Sequence, residues 1–298
     1  MGSAPDLDAL DADLAACGGT VSVWVGTPGS PAPAYARLPD ARHYAASTMK
    51  VAVLCALYRT AEAGALDLDR PVPVVNDFAS AQPSAPRFSI DRADDQDDEV
   101  WDRLGTTATL RWLARRMIVR SSNLATNLVL AHVGVAAAGE VLRLVGAADS
   151  TVRRGIADAA ARDAGIDNTV TAHDLATLFG RIALDAAGTG PPAVASGTVT
   201  RLGAPETCEA VLDVLLAQER REDLAAGLPP GTRVAHKNGW VTGVRHAAGV
   251  VFPDDAPAYV IAVCTTVPMP VLRAGLDTCA LVARVAAASW ADRHALPG

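Results

Sequence analysis

The sequence predicts an α+β fold in which an antiparallel sheet, assembled from both ends of the chain, is flanked by helices and an all-helical lobe is inserted between its halves. Three observations carry this expectation: period-two alternation near the start, helical patterning through the middle, and a return of alternation toward the end.

Residues 20–26 (TVSVWVG) alternate β-branched and apolar side chains, and after a Pro/Gly-rich turn residues 34–38 are placed to pair with them as a hairpin. The pattern then becomes helical over residues 48–64, rich in Ala, Leu and Val and ending at Gly64, a common helix stop. Further helical stretches cover residues 107–120, 124–133, 136–145, 172–185 and 206–226. Strand patterning returns at residues 233–240, 245–252 and 258–265, and a last amphipathic helix is expected over residues 271–293. One domain is expected over residues 1–298. Its α/β lobe comes from about 1–45 and 190–298, its all-α lobe from about 46–189, and a cleft lies where they meet. Residues 91–102 (DRADDQDDEVWD) read as a solvated acidic loop, with a lid carried by Trp101 as the alternative; the central Gly of a calcium loop is missing.

With 298 residues, half of them hydrophobic and a fifth charged, the chain can bury a full core. A net charge of -7 with scattered Arg argues against nucleic acid as a partner, because neutralising phosphates takes clustered Lys and Arg. Cys17, Cys55, Cys208, Cys264 and Cys279 are odd in number and show no metal-ligand spacing, so they read as free thiols, mostly buried. The six histidines show no metal-binding spacing either, and neither metal nor cofactor is expected. No apolar run approaches the ~18 residues of a membrane span, so no span is expected. The start, MGSAPD, has neither a basic nor an apolar signal region. The expectation is a monomer, cytoplasmic as the chain stands and secreted or periplasmic if a signal peptide has been removed.

Three short motifs carry chemistry. In Ser47-Thr48-Met49-Lys50, at a loop-to-helix junction, positions i and i+3 share one helical face, so a neutral Lys50 amine can take the proton of the Ser47 hydroxyl. Ser121-Ser122-Asn123 opens an apolar helix, and Lys237-Asn238-Gly239 lies within the strand RVAHKNGW, where a Gly marks close approach to the backbone. Each alone has a bland explanation, the first two as helix caps and the third as a bulge.

Taken together and in this order, S-x-x-K, S-x-N and K-x-G resemble the motif set of class A β-lactamases and penicillin-binding proteins. The likeness spans nearly the whole chain and includes GTTATLRWLARRMIVRSSNLATNLVL, DNTVTAHDLATLF and GLPPGTRVAHKNGWVTG. It implies a β-lactamase/transpeptidase-like fold, a serine hydrolase and an acyl-enzyme. Ser47 would be acylated, Lys50 would be its base, and Ser121 would relay the proton to the leaving nitrogen. Asn123 would bond a substrate amide, Lys237 would hold the electrostatics toward a substrate carboxylate, and the backbone N–H groups of Ser47 and Trp240 would form the oxyanion hole. Arg245 is a candidate second carboxylate partner, weighed against an exposed salt-bridging Arg. Burial and the charge of Lys237 are both expected to depress the Lys50 pKa.

Two departures stand out. The middle of K-x-G is normally Thr or Ser, whereas here it is Asn238, which puts carboxylate recognition in doubt. Class A enzymes carry a glutamate two residues past an Arg in the loop before the next helix, and residues 149–171 contain no Glu. If Arg154 is that Arg, paired with Asp167 or Asn168, the glutamate position falls on Ile156. Asp158 is then the nearest acid. The sequence thus predicts acylation by β-lactams or related amides and esters with slow release. A D-alanyl-D-alanine carboxypeptidase or esterase, and a penicillin sensor without turnover, are the alternatives.

Overall fold

Both ends of the chain feed one five-stranded antiparallel sheet, whose strands lie in the order Tyr35–Arg37, Thr20–Gly26, Tyr259–Thr266, Val244–Phe252 and Arg233–Val241. A computed structural model describes residues 7–190 and 201–296; the N-terminal residues 1–6 and most of the expected lobe boundary, at residues 191–200, lie outside the described residues. Helix α1 (Leu7–Ala16), which the sequence reading passed over, buries Leu7, Leu10 and Leu14. Strands β1 (Thr20–Gly26) and β2 (Tyr35–Arg37) form the expected hairpin, and β3 (His43–Tyr44) follows. A 3-10 turn at Ala46–Met49 leads into α2 (Lys50–Glu62), whose residues from Lys50 to Tyr58 are all buried.

Next come β4 (Pro71–Pro73), α3 (Asp98–Trp101), β5 (Thr107–Thr109) and α4 (Leu110–Val119). The stretch expected as one helix over 107–120 is divided because the Thr109 side chain accepts the Trp112 N–H and so caps α4. Helix α5 (Asn123–Val145) is interrupted at Gly134, whose φ of 77° only Gly adopts without strain, in keeping with the two helical segments read from the sequence. By length and composition α5 alone among the described helices is apolar enough to cross a membrane, but its Leu124–Leu130 portion is core. Then follow α6 (Ala159–Asp163), β6 (Thr169–Val170), α7 (Ala172–Ala186) and α8 (Pro205–Leu216). Helix α8 ends at Leu216 rather than near residue 226, as Gln218 turns to donate to the Ile118 carbonyl and Asp223 caps a separate 3-10 turn.

Strands β7 (Arg233–Val241), β8 (Val244–Phe252) and β9 (Tyr259–Thr266) complete the sheet. The last expected helix is two, α9 (Met269–Arg273) and α10 (Thr278–Ala291), separated at Gly275 (φ 97°) and restarted by Asp277 as cap. The alternation of β1 sorts its side chains. Val21, Val23 and Val25 pack with α1 and α10, whereas Trp24 joins the larger core of α2, α5 and α7 on the opposite face. Strand β7 is the sheet edge, and that edge abuts the 3-10 turn. A Cβ at Gly239 would lie 2.6 Å from the Ser47 nitrogen and 2.9 Å from that of Thr48, a distance no side chain tolerates.

Candidate active site

Ser47 sits in the 3-10 turn, half-buried, and its hydroxyl makes no hydrogen bond among the described residues. It caps neither the turn nor α2, which removes the bland reading of a helix cap. Ala46 before it has φ 45°, Ser121 has φ 62°, and Ala157 in the 149–171 loop has φ 62°. Non-Gly residues held in the left-handed region cost about 1–3 kcal/mol each and persist where surrounding structure fixes them. Three of the five such residues described therefore mark the three segments that meet at Ser47 or its loop.

Behind Ser47 lies a chain of buried amines and hydroxyls. Lys50 donates from Nζ to the Ser121 carbonyl (2.8 Å), Asn123 Oδ1 (2.9 Å), Ser121 Oγ (3.3 Å) and the Ser122 carbonyl (3.4 Å). Lys237 reaches the same Ser121 Oγ at 3.1 Å from the sheet side. Ser121 Oγ is thus held between two lysines, both completely buried. The turn that presents it is set by its neighbour, since Ser122 is the N-cap of α5 and accepts the Ala125 N–H at 3.1 Å. Lys50 is bonded to Ser121 and Asn123, and no hydrogen bond joins it to Ser47 among the described residues.

Burial pushes the Lys50 amine down to about 7, and the Asp95 carboxylate pulls it partly back. The mutual repulsion of the two amines is expressed on Lys237, which burial and the Lys50 charge hold well below the usual lysine range. An amine balanced near neutrality beside an unbonded hydroxyl has the parts of a nucleophile-base pair.

The model of the Beta-lactamase enzyme family matches residues 6–290. The chain belongs to this family. Among solved structures, a β-lactamase from Sphaerobacter thermophilus superposes with a TM-score of 0.71 at 24% identity, covering 99% of this chain and 100% of that one. PBP-A gives 0.71 at 20% identity, with 97% of each chain covered. A PBP-A variant with glutamate in place of a leucine, an acyl-enzyme complex with penicillin G, gives 0.70 at 20% identity over 97% and 98%. These likenesses are of fold. No curated protein matches the chain.

Within this β-lactamase fold, the residues expected to meet a substrate carboxylate are otherwise engaged. Asn238 is fully buried, donates from Nδ2 to Asp223 Oδ2 at 3.1 Å, and accepts from Lys237 through Oδ1 at 3.3 Å. Arg245 is buried, which corrects the reading of it as an exposed salt-bridging Arg. Its Nε lies 3.3 Å from the same Asp223 Oδ2, without hydrogen-bond alignment, and its Nη2 meets Cys279 and lies 3.6 Å from Glu222. Its guanidinium also stacks on the Trp240 ring at 5.2 Å. Trp240 and Gly239 stay on the β7 edge that faces Ser47, with Trp240 half-buried.

The 149–171 loop is closed as expected: Arg154 pairs with Asp167 at 2.7 Å, and Asn168 Oδ1 accepts the N–H groups of Arg153 and Arg154. Ile156 is held from both sides by Asn127, whose amide accepts its N–H (2.8 Å) and donates to its carbonyl (3.0 Å). Asp158 is buried, not solvated. It accepts from Ser80 Oγ (2.7 Å), the Ala81 N–H (2.7 Å) and the Ala161 N–H (3.1 Å), which makes it a structural pin. The acidic stretch 91–102 is likewise more than a solvated loop, and Trp101 is core rather than lid. Its Asp97 is buried against Arg116, and its Asp95 receives Ser122 Oγ and the N–H groups of Asn123 and Leu124 (3.2, 3.1 and 2.7 Å). Asp95 thereby holds the S-x-N turn at a helix N-terminus. Sequence reasoning missed it; the only signal was an acidic residue with no visible partner.

Proposed function

We propose that this protein is an acyl-transferring serine hydrolase of the β-lactamase type that forms its acyl-enzyme readily and releases it slowly. The observation that carries the reading is the Lys50–Ser121–Lys237 cluster beside the unbonded Ser47 hydroxyl, with Lys50 near neutrality. Ser47 Oγ attacks the acyl carbon and its proton passes to Lys50. The new C–O bond forms, the C–N or C–O bond to the leaving group breaks, and the leaving atom takes a proton through Ser121. The backbone N–H groups of Ser47 and Trp240 receive the developing oxyanion. Release is slow because the position next to the ester carries Ile156, which can neither hold nor deprotonate a water, and the neighbouring Asp158 is consumed by three hydrogen bonds.

Intact-mass spectrometry after mixing with benzylpenicillin methyl ester or a chromogenic cephalosporin tests this. A persistent adduct of one equivalent, mapped to Ser47 and absent from Ser47→Ala, is expected. A label on Ser121 or on a cysteine would sink the assignment.

A further inference from the structure

We infer that Asp223 is a built-in stand-in for a substrate carboxylate, and that the cleft therefore selects acyl donors that are uncharged at the end facing Lys237: neutral esters, lactones or amides. This rests on the reading of Ser47 as nucleophile and adds the substrate class.

The inference starts from where donors are spent. Three side chains at this end of the cleft have hydrogen atoms to offer an anion: Lys237, Asn238 and Arg245. Lys237 is fully buried and its amine serves Ser121 Oγ, the Asn238 carbonyl (2.8 Å) and Asn238 Oδ1. The other two converge on a single acceptor, since Asn238 Nδ2 and Arg245 Nε lie 3.1 and 3.3 Å from the same Asp223 oxygen. One hydrogen bond and one guanidinium ion pair on a single carboxylate oxygen is the arrangement a carboxylate-recognition site presents to its ligand. Here the protein supplies the carboxylate itself. Asp223 has no exposure, and its second oxygen accepts the Leu224 N–H at 2.8 Å, so it is fixed in place.

A substrate carboxylate brought to the same corner meets engaged donors and a buried anion, with Glu222 adding a second negative charge 3.6 Å from Arg245. Like charges brought together at a partly buried site repel strongly, because solvent screens them poorly there. Arg220 is a nearby cation outside this arrangement. It depresses Lys237, reaches the Gln96 carbonyl at 3.5 Å and leaves its Nε without a partner. It is therefore the control in the test.

The experiment compares benzylpenicillin with its methyl ester, which share the acyl group and differ in the one charge, by the second-order rate of Ser47 labelling followed by intact mass. The wild type is expected to take the methyl ester at least as fast as the free acid. In Asp223→Asn, the Arg245 and Asn238 donors are released, and the ratio should move toward the acid by about 10- to 100-fold, the worth of one charge-assisted hydrogen bond. A wild-type preference for the acid of tenfold or more overturns the inference whether or not the variant folds, and its loss in Arg220→Gln would name Arg220 as the anchor instead. An unchanged ratio in folded Asp223→Asn also overturns it. If neither compound labels Ser47, the functional reading fails and the inference falls with it.

Discussion

The corner around Ser121 and the 149–171 loop are equally dense in buried polar groups, yet they are put to opposite use. Around Ser121, two buried amines and a serine turn are satisfied by one another, while the half-buried Ser47 hydroxyl makes no hydrogen bond among the described residues. In the loop, Arg154, Asp167, Asn168, Asn127 and Asp158 bond one another or the backbone, and no carboxylate is left over. Hydrogen bonding alone therefore says little about reactivity. What matters is whether the network closes on itself or leaves one group unsatisfied where a substrate can reach it.

Lys50→Arg is the most severe way to break the first half of this comparison. Arg stays protonated at all working pH values and cannot take the Ser47 proton, so acylation should fall by at least about 10²-fold, measured as the rate of adduct formation. Undiminished labelling in that variant would mean that another base serves Ser47. Next in size is Ile156→Glu, which gives the closed loop the base it lacks. Release of the acyl group should accelerate by about 10²-fold or more, read as decay of the adduct mass and a rise in steady turnover after the burst. An unaltered adduct lifetime would show that the loop backbone, pinned by Asn127, holds residue 156 out of reach.

The pH dependence sharpens the contrast. Acylation needs neutral Lys50, so its rate should rise with pH and reach half its plateau near 7. Asp95→Asn removes the carboxylate that holds the amine up, and the midpoint should then move below 7. A purely structural Asp95 would lower the plateau without moving the midpoint. The smallest effect on chemistry is expected from Asp158→Asn, which should leave adduct formation and decay nearly unchanged while costing about 1–3 kcal/mol of stability in denaturant unfolding. Slower release in that variant would return Asp158 to the catalytic apparatus.

The sequence made the three converging motifs legible and the buried carboxylates around them illegible, for a physical reason. S-x-x-K, S-x-N and K-x-G are local patterns whose residues act where the backbone puts them. The Arg154–Asp167 neck was also readable, since the loop closes over a short span. Asp95 and Asp223, however, sit in stretches rich in charge, where one acid looks like the next. Their roles come from burial against groups far along the chain, as when Asp223, the cap of the 3-10 turn after α8, faces Arg245. Element ends failed in the same way. Helix α8 stops where Gln218 finds the Ile118 carbonyl, a contact 100 residues away that no periodicity announces.

The contact of Gly239 with the nitrogen of Ser47 also bears on timing during synthesis. The nucleophile's turn and the strand it leans on are separated by nearly two hundred residues, and β7 joins β1 only through β8 and β9. A growing chain that has already made Ser47, Lys50 and Ser121 still lacks the wall that positions them until the sheet closes around Tyr259–Thr266. Until then the turn that carries Ser47 has no strand to lean on.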